Sequence, residues 1–194
     1  MIAIGYCRVR EWDSLALSHF PYARQEMLAR ITHPGRLSES ITATMLLLRM
    51  LEGCPPCERP VEYDLTGYVP VASLPDWPLS AHGKPFPEGL LWGGERLYVS
   101  LSHGGGYAAV ALCSAPVGID VQSEGDFPEA VAARYGWEPA EAPRLWATGE
   151  AVIKLHGGTL ADMGAALPPD VAVHAYSVGG CHLAVATRAV AAHI

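Results

Sequence analysis

Leu97-Tyr98-Val99-Ser100-Leu101-Ser102, then His103-Gly104-Gly105-Gly106, then Tyr107-Ala108-Ala109-Val110-Ala111-Leu112-Cys113: the reading of this stretch decides the fold. Two apolar runs flank a glycine cluster, which is the pattern of a β-hairpin over 97–102 and 107–113. Working outward, 117–122 predicts a third strand. Residues 126–135 and 138–157 predict helices from their apolar spacing. A closing hairpin is predicted over 171–177 and 182–187, across Gly179-Gly180.

Upstream of the hairpin, 2–9 alternates as a short strand and 11–31 has rough helical spacing despite Pro21. Residues 38–52 predict the best helix of the first half. Ser38 is its expected N-cap, and Ile41, Met45, Leu48 and Leu51 form its stripe. Residues 53–94 are rich in Pro and Gly and predict long connections, with one strand near 61–65. Strands and helices mix without a βαβ rhythm, so the expected class is α+β, in an N-terminal half over 1–96 and a C-terminal half over 97–194.

Half of the 194 residues are hydrophobic and 17% are charged, enough apolar content for a packed core. The net charge of −7, without a basic stripe, argues against a nucleic-acid partner. Five cysteines are an odd count that argues against a disulfide framework and for a reducing compartment. No basic-then-apolar leader opens the chain, and the apolar run Met45 to Leu51 is far short of the roughly 20 residues of a membrane helix. The expectation is a cytoplasmic protein with no membrane partner.

Alternation along a strand puts Asp120 and Gln122 on one face and Ile119 and Val121 on the other. Two neighbouring oxygen donors suit a hard cation such as Mg²⁺, and a strand-end acid capping a turn is the plainer reading. Trp146, Glu150 and Lys154 follow i, i+4, i+8 spacing on one helix face. They read as a core anchor with a surface ion pair. Beside Asp120, Glu150 reads instead as a second metal carboxylate or a base, and Lys154 as a partner for a phosphate oxygen. Lys84, between Gly83 and Pro85, reads as a solvated turn lysine or as a phosphate contact from a stiff loop. His103 precedes three glycines whose amides can face an anion.

Other signals carry less. Cys54-Pro55-Pro56-Cys57 has no second ligand pair to complete a zinc site. The His103-Gly104-Gly105-Gly106 run lacks the Gly-x-Ser-x-Gly elbow of an esterase. The eight histidines form no His-x-x-x-His on a predicted helix.

Taken in order, Gly83-Lys84-Pro85, then Ser100-Leu101-Ser102-His103 leading to Gly118-Ile119-Asp120-Val121-Gln122, then Trp146-Ala147-Thr148-Gly149-Glu150-Ala151-Val152-Ile153-Lys154 resemble the signature of the Sfp-type 4′-phosphopantetheinyl transferases. The resemblance covers 83–157. It implies a fold of two pseudo-related α/β halves with the active site in the cleft between them. It also implies transfer of phosphopantetheine from coenzyme A to a serine of an acyl or peptidyl carrier protein, as in a holo-[acyl-carrier-protein] synthase. By the match, Lys84, Ser102 and His103 face the coenzyme A phosphates, and Asp120 and Glu150 hold Mg²⁺ with Gln122 beside them. Lys154 is the last lysine of the helix motif, and Glu150 or a metal-ordered water takes the serine proton. An internally duplicated enzyme of this type can work as a monomer. Three positions depart from the pattern. Gln122 replaces a third acid, Gly149 replaces the first lysine of the helix motif, and Ser38-Glu39-Ser40 stands where a basic residue meets the nucleotide, with Arg36 and Arg49 as possible substitutes. The alternative is a degenerate family member that binds coenzyme A or a carrier protein without turnover.

Overall fold

The computed structural model describes residues 1–71, 91–92, 94–125 and 127–188. The chain runs β1 (Ile2–Arg8), α1 (Tyr22–Ala29), α2 (Pro34–Leu51), β2 (Val61–Glu62), β3 (Leu91–Trp92), β4 (Glu95–Arg96), β5 (Tyr98–Gly104), β6 (Tyr107–Cys113) and β7 (Val117–Ser123). It continues with α3 (Glu129–Tyr135), α4 (Ala142–His156), β8 (Val171–Val178) and β9 (Cys181–Arg188). The class is α+β, as expected. No helix among the described residues is long and apolar enough to cross a membrane.

Two sheets carry the fold, in orders β2-β1-β6-β5 and β7-β9-β8, with β3 and β4 as a separate ribbon. Within them the same unit occurs twice: a strand, a long helix, then a hairpin whose last strand inserts between the first two. In one unit this is β1, α2, β5 and β6; in the other it is β7, α4, β8 and β9. Both hairpins turn on two glycines at positive φ, Gly105-Gly106 and Gly179-Gly180. Two-residue hairpin loops of this kind need that left-handed backbone, which glycine enters without a Cβ clash.

Period-2 alternation sorts the strands into layers. Ala108, Val110 and Leu112 of β6 pack under α2, while Tyr107, Ala109, Ala111 and Cys113 face Ile119, Val121, Leu183 and Val185 of the second sheet. On that sheet's far side Ala184 and Ala186 meet Ala147, Ala151 and Leu155 of α4. The layers therefore run helix, sheet, sheet, helix. A division after residue 96 does not follow sheet membership. β1 lies before it, yet β1 is laddered to β6 from Ile2↔Cys113 to Arg8↔Tyr107.

Three local expectations need correction. The helix over 11–31 is instead a 3₁₀ turn over Ser14–His19 followed by α1. Pro21 forces the break, because the residue before a proline, Phe20, is pushed into extended backbone at φ −96° and ψ 149°. Ser38 is not the N-cap of α2. The helix starts one turn earlier, with Pro34 in its first turn, and the His33 ring accepts from Arg36 N–H at 3.4 Å. The strand near 61–65 is only Val61–Glu62, paired in parallel with β1.

Candidate functional site

The edges of the two sheets meet where β5 faces β7. The Ile119 and Val121 amides point away from the β9 ladder and would be orphaned at a bare edge. Ser100 and Ser102 of β5 satisfy them, their hydroxyls accepting at 3.1 and 3.2 Å. The same register leaves Asp120 and Gln122 on the face turned to α4, as the alternation of β7 predicts. Gly118 allows α4 to come so near: a Cβ there would lie 1.9 Å from the Ala151 carbonyl oxygen.

Sequence-distant groups thus converge on one cavity of about 350 Å³, lined by Leu101, Ser102, His103, Asp120, Val121, Gln122, Trp146, Glu150 and Lys154. Asp120 is buried at its floor. Its Oδ1 accepts from Ser102 Oγ at 2.7 Å and from Lys154 Nζ at 2.6 Å. Lys154 Nζ also donates to Ser102 Oγ at 3.1 Å and stands 3.8 Å from Glu150 Oε2. Burial raises the Glu150 pKa, and Asp120 adds to that, while Lys154 opposes both. Trp146 closes one end, its ring 5.7 Å from Phe127 and 6.3 Å from Tyr135.

At the other end, His103 is held on both ring nitrogens. Glu39 Oε2 lies 3.2 Å from Nδ1, and Ser40 Oγ lies 3.1 Å from Nε2. The network suits the neutral ring: Nδ1–H donates to the carboxylate and Nε2 accepts from the hydroxyl. Burial lowers the His103 pKa, which favours that form; Glu39 pulls it up, and Lys154 and Arg24 push it down.

Sequence reasoning missed Arg24 and the part played by Glu39. Arg24 is 9% exposed, and its guanidinium is hydrogen-bonded inside the protein. It donates to Thr44 Oγ1 at 3.1 Å and to the Ser40 carbonyl at 3.1 Å, with no carboxylate paired to it among the described residues. Burial lowers its pKa to about 10, so it stays charged at neutral pH. A buried cation with only neutral partners is costly unless an anion joins it. The signal was present in the sequence as a lone arginine on the stripe Phe20, Arg24, Leu28 of the predicted helix.

Of the expected site residues, Ser102, His103, Asp120, Gln122, Glu150 and Lys154 share this cavity. Ser102 spends its hydroxyl on Asp120, Lys154 and the Val121 amide. Lys84, with Gly83 and Pro85, lies outside the described residues. Arg36 and Arg49 do not line the cavity; Arg36 is exposed and Arg49 stacks 5.9 Å over the Tyr68 ring. Gly149 has a steric reason: a Cβ there would stand 2.3 Å from Met163 Sδ.

Asp120, Glu150 and Gln122 offer the hard oxygen donors that Mg²⁺ takes. Among the described residues no group of three or more His, Cys, Asp and Glu side chains is arranged for a metal. The cavity thus presents two carboxylates and an amide, with the Lys154 ammonium lying on Asp120. No protein-family model matches the chain, and no curated protein matches it.

Proposed function

We propose that this chain is a 4′-phosphopantetheinyl transferase. It binds coenzyme A and passes the phosphopantetheine arm to a serine of an acyl or peptidyl carrier protein, releasing 3′,5′-ADP. The observation that carries the reading is the convergence of Ser102, His103, Asp120, Gln122, Glu150 and Lys154 on one cavity. These residues come from three separate motifs, and their order along the chain resembles that of the transferase family.

The residue chemistry supports the reaction. The carrier hydroxyl attacks the β-phosphorus, a new P–O bond forms, and the bond from that phosphorus to the bridging oxygen breaks. The bond electrons leave with 3′,5′-ADP. Glu150 lines the cavity with a carboxylate that can take the serine proton. Lys154 lines the cavity and would pair with a phosphate oxygen of the bound ligand, and Arg24 and His103 suit the anionic nucleotide end. Bound by Asp120 and Glu150, with the Gln122 amide beside them, Mg²⁺ would offset charge on the pyrophosphate oxygens.

A second reading is binding without turnover, favoured by the ion pair that engages Asp120 and by the neutral Gln122 in place of an acid. Intact-mass analysis of an apo carrier incubated with this protein, coenzyme A and Mg²⁺ separates the two. The expected result is one phosphopantetheine per carrier domain, abolished by EDTA. Asp120→Ala and Glu150→Ala should each abolish transfer while the chain stays folded. The double variant should be little worse than either single one, because such groups act as a unit. Coenzyme A binding with no carrier modified would establish the second reading.

A further inference from the structure

We propose that Lys154 is the resident cation of this cavity: its ammonium occupies the place between Asp120 and Glu150, and a divalent ion enters only by expelling it. The proposal rests on the reading of Asp120 and Glu150 as hard-ion donors and concerns what controls their occupancy.

The distances define the competition. Lys154 Nζ is 2.6 Å from Asp120 Oδ1 and 3.8 Å from Glu150 Oε2, with Ser102 Oγ as a third acceptor at 3.1 Å. Only 8% of the Asp120 side chain and 22% of the Glu150 side chain are exposed, so solvent screens the pair weakly. Among the described residues two carboxylates face one ammonium, and Gln122 adds an oxygen without a charge. A divalent ion added to this set would place three positive charges against two negative ones. With the ammonium withdrawn, two meet two. Metal binding and retention of the Lys154–Asp120 pair are therefore alternatives.

The side chain can make the exchange. Lys154 lies in the last turn of α4, its four-carbon stem is flexible, and 27% of it is exposed. An expelled ammonium stays at the cavity mouth, where it can meet the anion of an incoming ligand. Metal and anionic ligand should then bind with positive coupling, because each offers a partner to a group the other displaces.

The test is Mn²⁺ binding, followed by the electron paramagnetic resonance signal of the free ion, on the full chain. The variants are Lys154→Met, Lys154→Gln and Lys154→Met/Asp120→Asn, with folding of each checked by circular dichroism. Removal of the ammonium by either single variant should tighten Mn²⁺ at least tenfold over the unaltered chain. Asp120→Asn should remove that gain. Equal or weaker binding in a folded Lys154→Met or Lys154→Gln protein overturns the exchange. If the unaltered chain still binds Mn²⁺ through Asp120 in that case, the metal-donor reading survives. No Mn²⁺ binding in any protein overturns both. Tighter binding in the variants, with no carrier modified by the unaltered chain, keeps the exchange and removes the transferase reading.

Discussion

The two strand–helix–hairpin units share one topology and differ in how closely the helix sits on its sheet. In the β1, α2, β5, β6 unit the helix stands off on large side chains, among them Ile41, Met45, Leu48 and Met50. In the β7, α4, β8, β9 unit it rests on Ala147 and Ala151 against Ala184 and Ala186. Each first strand has a glycine facing its helix. A Cβ on Gly5 would meet the Met50 sulfur at 2.5 Å, whereas one on Gly118 would meet α4 backbone, the Leu155 nitrogen at 2.6 Å as well as the Ala151 oxygen. Close docking brings Glu150 and Lys154 down onto Asp120. The groove in the topologically corresponding place, where β8 approaches β1, is larger at about 780 Å³ and lined in part by Ile2, Ile4, Tyr176 and Val185. Repeating a topology does not repeat its chemistry; the small residues at one helix–sheet contact make the difference.

The strongest way to break this comparison is to add one methyl group to each unit. Gly118→Ala should destabilise by about 3 kcal/mol or more, the upper end for overpacking, because helix backbone cannot rotate out of the way. Gly5→Ala should lose about 1–2 kcal/mol, since the flexible Met50 side chain can shift. Urea denaturation of both variants gives the answer. A larger loss at Gly5 would mean that α4 has room to move and that docking distance is not what separates the units.

Much of the second unit was legible in sequence because it is built from local patterns. The alternation of β7 correctly puts Asp120 and Gln122 opposite Ile119 and Val121, and the spacing of α4 correctly puts Trp146, Glu150 and Lys154 on one face. The first unit was harder to read. Its sheet depends on β1 pairing with β6 across more than 100 positions, Ile2↔Cys113, which no local pattern encodes. Its site contribution was also hidden. Glu39, Ser40 and Arg24 look like ordinary helix residues until α1, α2 and β5 bring them to His103. The direct Lys154–Asp120 contact was illegible for a similar reason, since its distance is set by the alanines and Gly118 beneath the helix.

A smaller effect separates the units by pH. His103 of the first unit lies against Glu39 with 34% of its side chain exposed, has Arg24 and Lys154 as nearby cations and Ser40 on Nε2, and its folded pKa is lowered chiefly by partial desolvation. Below the unfolded value of about 6.5 the unfolded chain therefore binds more protons than the folded one. Stability should fall as the pH drops from about 6.5 toward the folded pKa, and return above it. His103→Gln should flatten that part of the stability–pH curve measured by urea denaturation. An unchanged slope in the variant would assign the acid sensitivity to other groups.

The smallest expected effect concerns Gly149, which departs from the pattern of the helix motif and lies inside the closely docked α4. Alanine there should gain about 1 kcal/mol of helix propensity. Its Cβ would also displace the buried Met163 sulfur. Methionine is unbranched and adaptable, so the displacement should offset most of the gain and leave a net change within about 1 kcal/mol. A double-mutant cycle isolates the two contributions. In a Met163→Ala background the displacement disappears, and Gly149→Ala should then stabilise by roughly the full propensity gain. The coupling between the two positions should be about 0.5 kcal/mol or more, as for residues in direct contact. Zero coupling would show that Met163 gives way freely. The glycine would then owe nothing to packing, and α4 would be set close to its surroundings by Gly118 and its alanines alone.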